Sequence, residues 1–128
     1  MSSIFTRIIK GELPCYKIAE NDKFLAFLDV NPLVKGHTLV IPKQEIDYIF
    51  DVEDSLLSEM MIFSKQVALK IEKVIPCKRI GVAVIGLEVA HAHIHLVPMQ
   101  SANDVNFTQP KLSFSKKEME EVLNKIIG

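Results

Sequence analysis

The apolar positions of the chain follow two periods. Ile4, Phe5, Ile8 and Ile9 recur at helical spacing and predict a short helix over Ile4–Lys10. Gly11 stops it, and Pro14 follows three residues on. Cys15–Glu20 reads as a short strand and Asn21-Asp22 as a turn. In Phe24–Asp29, the residues Phe24, Ala26 and Leu28 oppose Leu25, Phe27 and Asp29, which is strand alternation. Asn31-Pro32 marks a loop and Gly36 a tight bend. His37–Pro42 is a third strand, rich in β-formers and ended by its proline.

The longest helical stripe comes next, through Leu56, Leu57, Met60, Met61, Phe63, Val67, Ala68 and Ile71. Asp51 is its expected cap, Glu53 and Asp54 suit the positive end of the helix dipole, and Pro76 ends it. Arg79–Ile85 and Val89–Met99 read as two further strands on either side of Gly86. Lys116–Ile127 is a last helix, with Ser115 and Glu118 placed as a capping box. Strands and helices do not alternate regularly. The expectation is an α+β fold over a single domain, residues 1–128. It has a mostly antiparallel sheet of about five strands, one long helix packed on it, and short helices at the two ends.

Composition narrows the class. A chain of 128 residues can bury a core without disulfides or metal. Its 15 basic and 16 acidic residues leave a net charge of -1, which argues against a broad electrostatic grip on nucleic acid. No apolar run reaches the ~18–20 residues of a membrane span. Thr6 and Arg7 interrupt the apolar start of the chain, so a signal-peptide core is absent and a cytoplasmic location is expected. Cys15 and Cys77 lie far apart and form no CxxC, so they read as reduced thiols rather than zinc ligands.

The chemistry lies in the histidines. Three of the four fall within His91-Ala92-His93-Ile94-His95. Strand alternation puts these three imidazoles on one face, and Ala92, Ile94 and Leu96 on the other. Three polar rings in register make a poor core surface, because each buried nitrogen needs a partner. Two chemistries fit. Neighbouring histidines with His37 could ligate a metal, although His91 and His95 stand roughly 13 Å apart at strand rise, too far to share one ion. Alternatively, one imidazole attacks an electrophile while its neighbours handle charge and protons. Phosphorus suits the second, since a phosphorylated imidazole is labile enough to hydrolyse. Taken singly, Ile4, Phe5 and Ile8 read as core, and Asp29 before Asn31-Pro32 reads as a turn residue.

His-Ala-His-Ile-His-Leu-Val resembles the signature of the histidine triad (HIT) family of nucleotide hydrolases and transferases. Ser3–Pro14 is similar to that family's N-terminal helix and turn, and Phe24–Asp29 with Pro32 and Gly36–Lys43 to its first half-site. The likeness covers residues 3–99 and is nearest the Hint-like, nucleoside phosphoramidase branch. It implies a purine nucleotide site needing no cofactor and no metal. His93 would attack the α-phosphorus, and His95 would contact the phosphate or the leaving group. His91 and His37 would order the site. Asp29 would accept from the ribose hydroxyls, while Ile4, Phe5, Ile8, Phe27, Val30 and Leu39 enclose the base. Backbone N–H groups around Glu88 and Val89 would face the phosphate. The resemblance also implies a homodimer joined edge to edge through its sheets, with no nucleic-acid or membrane partner. Other readings are a dinucleoside polyphosphate hydrolase on the same residues, or a nucleotide-binding module with little catalysis. The sequence departs from the pattern in places. Ser3 and Thr6 stand where some relatives carry a zinc-binding cysteine pair, and the Asn that many relatives carry before the triad is absent. The segment before the triad is shortened, with Leu87 at a Gln position, which implies a narrowed or altered leaving-group pocket.

Overall fold

A computed structural model describes residues 2–128. The chain forms helix α1 (Ile4–Ile9), strands β1 (Lys17–Glu20), β2 (Phe24–Leu28) and β3 (Thr38–Pro42), then the long helix α2 (Asp54–Val74). Strands β4 (Arg79–Ala83) and β5 (Ile94–Met99) and helix α3 (Lys116–Ile127) complete it. One sheet runs in the order β1-β2-β3-β5-β4, with every neighbouring pair antiparallel.

Local chemistry fixes the ends of these elements. The Ser3 hydroxyl accepts from the Thr6 N–H at 3.0 Å and caps α1. Gly11 at φ 79° reverses the chain beyond it. The Asn21 side chain accepts from the N–H groups of Lys23 and Phe24 and closes the β1–β2 hairpin. The Ser115/Glu118 capping box starts α3.

At β2 and β3 both faces of the sheet are covered. Phe24, Ala26, Leu28, Val40, Ile94 and Leu96 pack against Met60, Phe63, Val67 and Ile71 of α2 and against Met119, Val122 and Ile126 of α3. On the opposite face α1 covers Leu25, Phe27, Leu39 and Ile41. Every residue of β2 and β3 is buried for that reason. Among the described residues no helix is long and apolar enough to cross a membrane.

The structure departs from the sequence expectations in several places. Asp51 does not cap α2. It ends a short 3-10 turn over Ile49–Asp51, and Glu53 occupies the cap position without a side-chain bond. Met61, expected in the buried stripe, is exposed. The last strand begins at Ile94 rather than Val89, and β4 stops at Ala83. The amides of His91 and Ala92 donate to the carbonyls of Val89 and Ile46, so this stretch bends in from outside the ladder.

Candidate active site

The four histidines meet on the α1 side of the sheet. His95 is a β5 residue registered against Leu39 of β3, His37 directly precedes β3, and His91 and His93 sit in the bent segment before β5. Alternation alone therefore does not align them, yet their rings share one side. The centroids of His93 and His95 lie 4.9 Å apart, and Phe5 of α1 stacks edge-on against His93 at 5.0 Å and His91 at 5.8 Å.

Their hydrogen bonds assign the protons. A carbonyl oxygen can only accept. His93 therefore donates Nδ1–H to the His91 carbonyl at 2.7 Å, which leaves the lone pair of its neutral ring on Nε2. His91 likewise donates Nε2–H to the Pro42 carbonyl at 2.8 Å and accepts the Ser3 hydroxyl on Nδ1 at 2.8 Å. A second chain starts at the Leu33 N–H, which donates to His37 Nδ1 at 3.0 Å. His37 then donates Nε2–H to His95 Nδ1 at 2.9 Å, so neutral His95 carries its proton on Nε2. A bare nitrogen on His93 thus stands beside an N–H on His95, and backbone groups fix both tautomers.

Burial favours the uncharged form of His37, His91 and His95. It pushes His95 down to about 3, helped by neighbouring His37, His93 and Lys111. It pushes His37 down to about 4, helped by Lys111 and His93. His91 is lowered by burial, against the pull of the Pro42 carbonyl and Glu45. Asp29 is raised by burial, opposed by the Asn31 N–H donated to its carboxylate at 2.9 Å.

Beside the rings lies an apolar cavity of about 260 Å³. Ile4, Phe5, Ile8, Phe27, Asp29, Val30 and Leu39 all line it, as do Leu13, Pro14 and Cys15, which the sequence did not suggest. Glu88 and Val89 border a separate, more open depression with Ser3 and Glu45. Leu87 is 88% exposed and lines neither hollow. Cys15 and Cys77 are free, with thiol pKa values raised by burial.

Two features were not legible in the sequence. At the start of α1, Glu45 accepts from the Ser3 N–H at 2.7 Å and from the Thr6 hydroxyl, which hold its carboxyl down at about 2. This ties Ser3, and through it His91, to the end of β3. After β5, the ring of Phe107 packs on His95 at 4.6 Å. The metal reading weakens on the donor set. Asp29, His37 and His95 offer ligand atoms within 4.8 Å, but His37 and His95 already satisfy one another by sharing a proton.

The model of the HIT domain matches residues 10–102. The chain belongs to the HIT family. It is 32% identical to a HIT-like protein of Borreliella burgdorferi over 93% of this chain and 91% of that one. It is 33% identical to the adenosine 5′-monophosphoramidase of Saccharomyces cerevisiae, over 98% of this chain and 83% of the yeast protein. Among solved structures, a HIT-like protein of Bartonella henselae superposes with a TM-score of 0.85 at 26% identity, covering 98% of this chain and 94% of that one. Within the family this HIT protein is Hint-like. Residues 103–128, including Phe107 and α3, lie beyond the matched domain.

Proposed function

We propose that this HIT protein hydrolyses purine nucleoside 5′-phosphoramidates through a nucleotidyl intermediate on His93. One observation carries the reading: the His93 ring is turned by the His91 carbonyl so that its unprotonated Nε2 stands free beside the His95 N–H. In the first step Nε2 attacks the α-phosphorus, an Nε2–P bond forms, and the P–N bond of the substrate breaks. The amine leaves with a proton from solvent. The intermediate ring is cationic, and its Nδ1–H bond to the carbonyl strengthens with the charge. Water then attacks phosphorus, the Nε2–P bond breaks, AMP leaves, and the proton of the water passes to solvent. His95 donates Nε2–H to a phosphoryl oxygen through both steps, and His37 keeps that tautomer. Asp29 takes the ribose hydroxyls, and the apolar cavity takes the base. A carboxylate suits a vicinal diol because it only accepts.

The yeast relative named for adenosine 5′-monophosphoramidase supports the phosphoramidate as substrate. Wild-type protein is expected to release AMP from adenosine 5′-phosphoramidate faster than from a diadenosine polyphosphate. The reverse order would favour the polyphosphate hydrolase. AMP binding without turnover of either would favour the binding module.

A homodimer belongs to the same proposal. Among the described residues β4 pairs with β5 alone and leaves its other edge open. Beside it, Val82 is 51% exposed, and on α2 Met61 and Leu69 stand two turns apart, both about half exposed. A depression of about 420 Å³ joins the two elements between Leu69 and Ile80. Exposed apolar residues beside an open strand edge, with Lys65, Glu72, Lys78 and Arg79 around the depression, suit a second copy. Light scattering at micromolar concentration should give twice the chain mass for the wild type and the monomer mass for Leu69→Glu. A monomeric wild type would refute it.

A further inference from the structure

The nucleotide site, as built so far, lacks a cation. It holds four imidazoles and the Asp29 carboxylate, and burial keeps His37 and His95 neutral. A nucleotide brings at least one negative charge into this partly desolvated place, where an unpaired charge is costly. The segment after β5 supplies the missing charge.

That segment is held at three points. A capping box joins Ser101 and Asp104 in a 3-10 turn over Ala102–Val105. Phe107 then packs edge-on against His95, at 4.6 Å, and against His37, at 6.2 Å. Farther on, the Leu112 N–H donates to the Pro32 carbonyl at 2.8 Å, which ties the segment to the loop that follows Asp29. Between the last two points, Lys111 lies with Nζ 5.9 Å from the centre of the Phe107 ring. Among the described residues no carboxylate lies in ion-pair range of its ammonium. Its charge acts on Asp29, His37 and His95 alike. Lys111 is itself exposed, so its ammonium is free to turn to a ligand. The segment that carries it is fixed on both sides, by Phe107 against His95 and by Leu112 against Pro32.

We propose that Lys111 is a phosphate-binding residue of the site, brought near it by the segment that Phe107 anchors on His95, and that it makes the site select nucleotides over uncharged nucleosides. The proposal rests on the nucleotide reading above. A lysine ammonium suits this task, because it is a compact charge on a long stem that can follow the phosphate through both displacements.

Calorimetric titration with AMP and with adenosine at low salt tests it. Adenosine fills the base and ribose positions and lacks the phosphate. Wild type is expected to bind AMP more tightly than adenosine. In Lys111→Gln the AMP affinity should fall about tenfold, as for a charge-assisted contact, while adenosine affinity stays unchanged. Lys111→Arg should keep most of the AMP preference. Added salt should erode that preference in wild type and leave Lys111→Gln unaffected. If Lys111→Gln binds AMP as wild type does, or loses AMP and adenosine equally, the Lys111 proposal is wrong while the nucleotide reading stands. If wild type binds neither ligand, the nucleotide reading falls, and the role of Lys111 falls with it.

Discussion

Replacing His93 by alanine is expected to slow AMP release from adenosine 5′-phosphoramidate by about 10³-fold or more, with AMP still bound. That loss corresponds to about 4 kcal/mol of barrier. It is large because nothing near His93 can take over. His91 has both nitrogens engaged, with Pro42 and Ser3, and His37 is closed between Leu33 and His95. His95 presents an N–H rather than a lone pair to the site. The residual rate of the variant comes from the binding groups alone. The base cavity is formed by Phe5, Phe27 and Leu39 among others and does not include His93, so nucleotide affinity should change little. A variant that keeps near wild-type turnover would remove His93 as nucleophile.

The second large effect is structural as well as catalytic. His91→Ala is expected to lower stability by about 3 kcal/mol and to cut kcat. The ring is fully buried, so its loss leaves a cavity of the kind that costs about 2–5 kcal/mol in core truncations. It also strands the Pro42 carbonyl and the Ser3 hydroxyl without their partner. Ser3 is the cap of α1, and Phe5 of α1 stacks on both His91 and His93, so the helix, the base cavity and the nucleophile loosen together. Urea unfolding followed by circular dichroism measures the first effect and steady-state kinetics the second. An unchanged urea midpoint would mean that His91 carries no structural load. A fall in stability with kcat intact would mean that it does not orient His93.

Which residues gather at the candidate site was more legible in the sequence than the path of the chain through it. Helix α3 was legible to its ends, because Ser115 and Glu118 are local signals that the backbone obeys. The alternation of Phe24–Leu28 was legible too, but its burial on both faces was not, since that depends on α1 arriving from elsewhere. The start of β5 was misread because alternating residues need not pair in a ladder. The amides of His91 and Ala92 find carbonyls outside it. The false cap at Asp51 has a similar origin, as a 3-10 turn satisfies that residue before α2 begins. The order β1-β2-β3-β5-β4 had no signature, because hydrophobic period says which face is buried and not which strand is adjacent.

Among the site residues, the three-histidine spacing was a strong local signal, and every residue suggested for the base lines one cavity. The brace of Ser3, Thr6 and Glu45 behind His91 was invisible. Its partners stand 88 and 42 positions apart, and each residue is an ordinary surface type on its own. Phe107 and Lys111 were missed because their segment is irregular and has no period to read.

The central claim is a covalent intermediate on His93, and the stereochemical course at phosphorus tests it most directly. The substrate is a P-chiral adenosine 5′-phosphorothioate amide, hydrolysed in isotopically labelled water. Each in-line displacement inverts the phosphorus, so two successive displacements restore its configuration. Overall retention is the predicted result, and it does not require the intermediate to accumulate. Overall inversion would mean that water attacks directly, with the four histidines only binding and polarising the substrate.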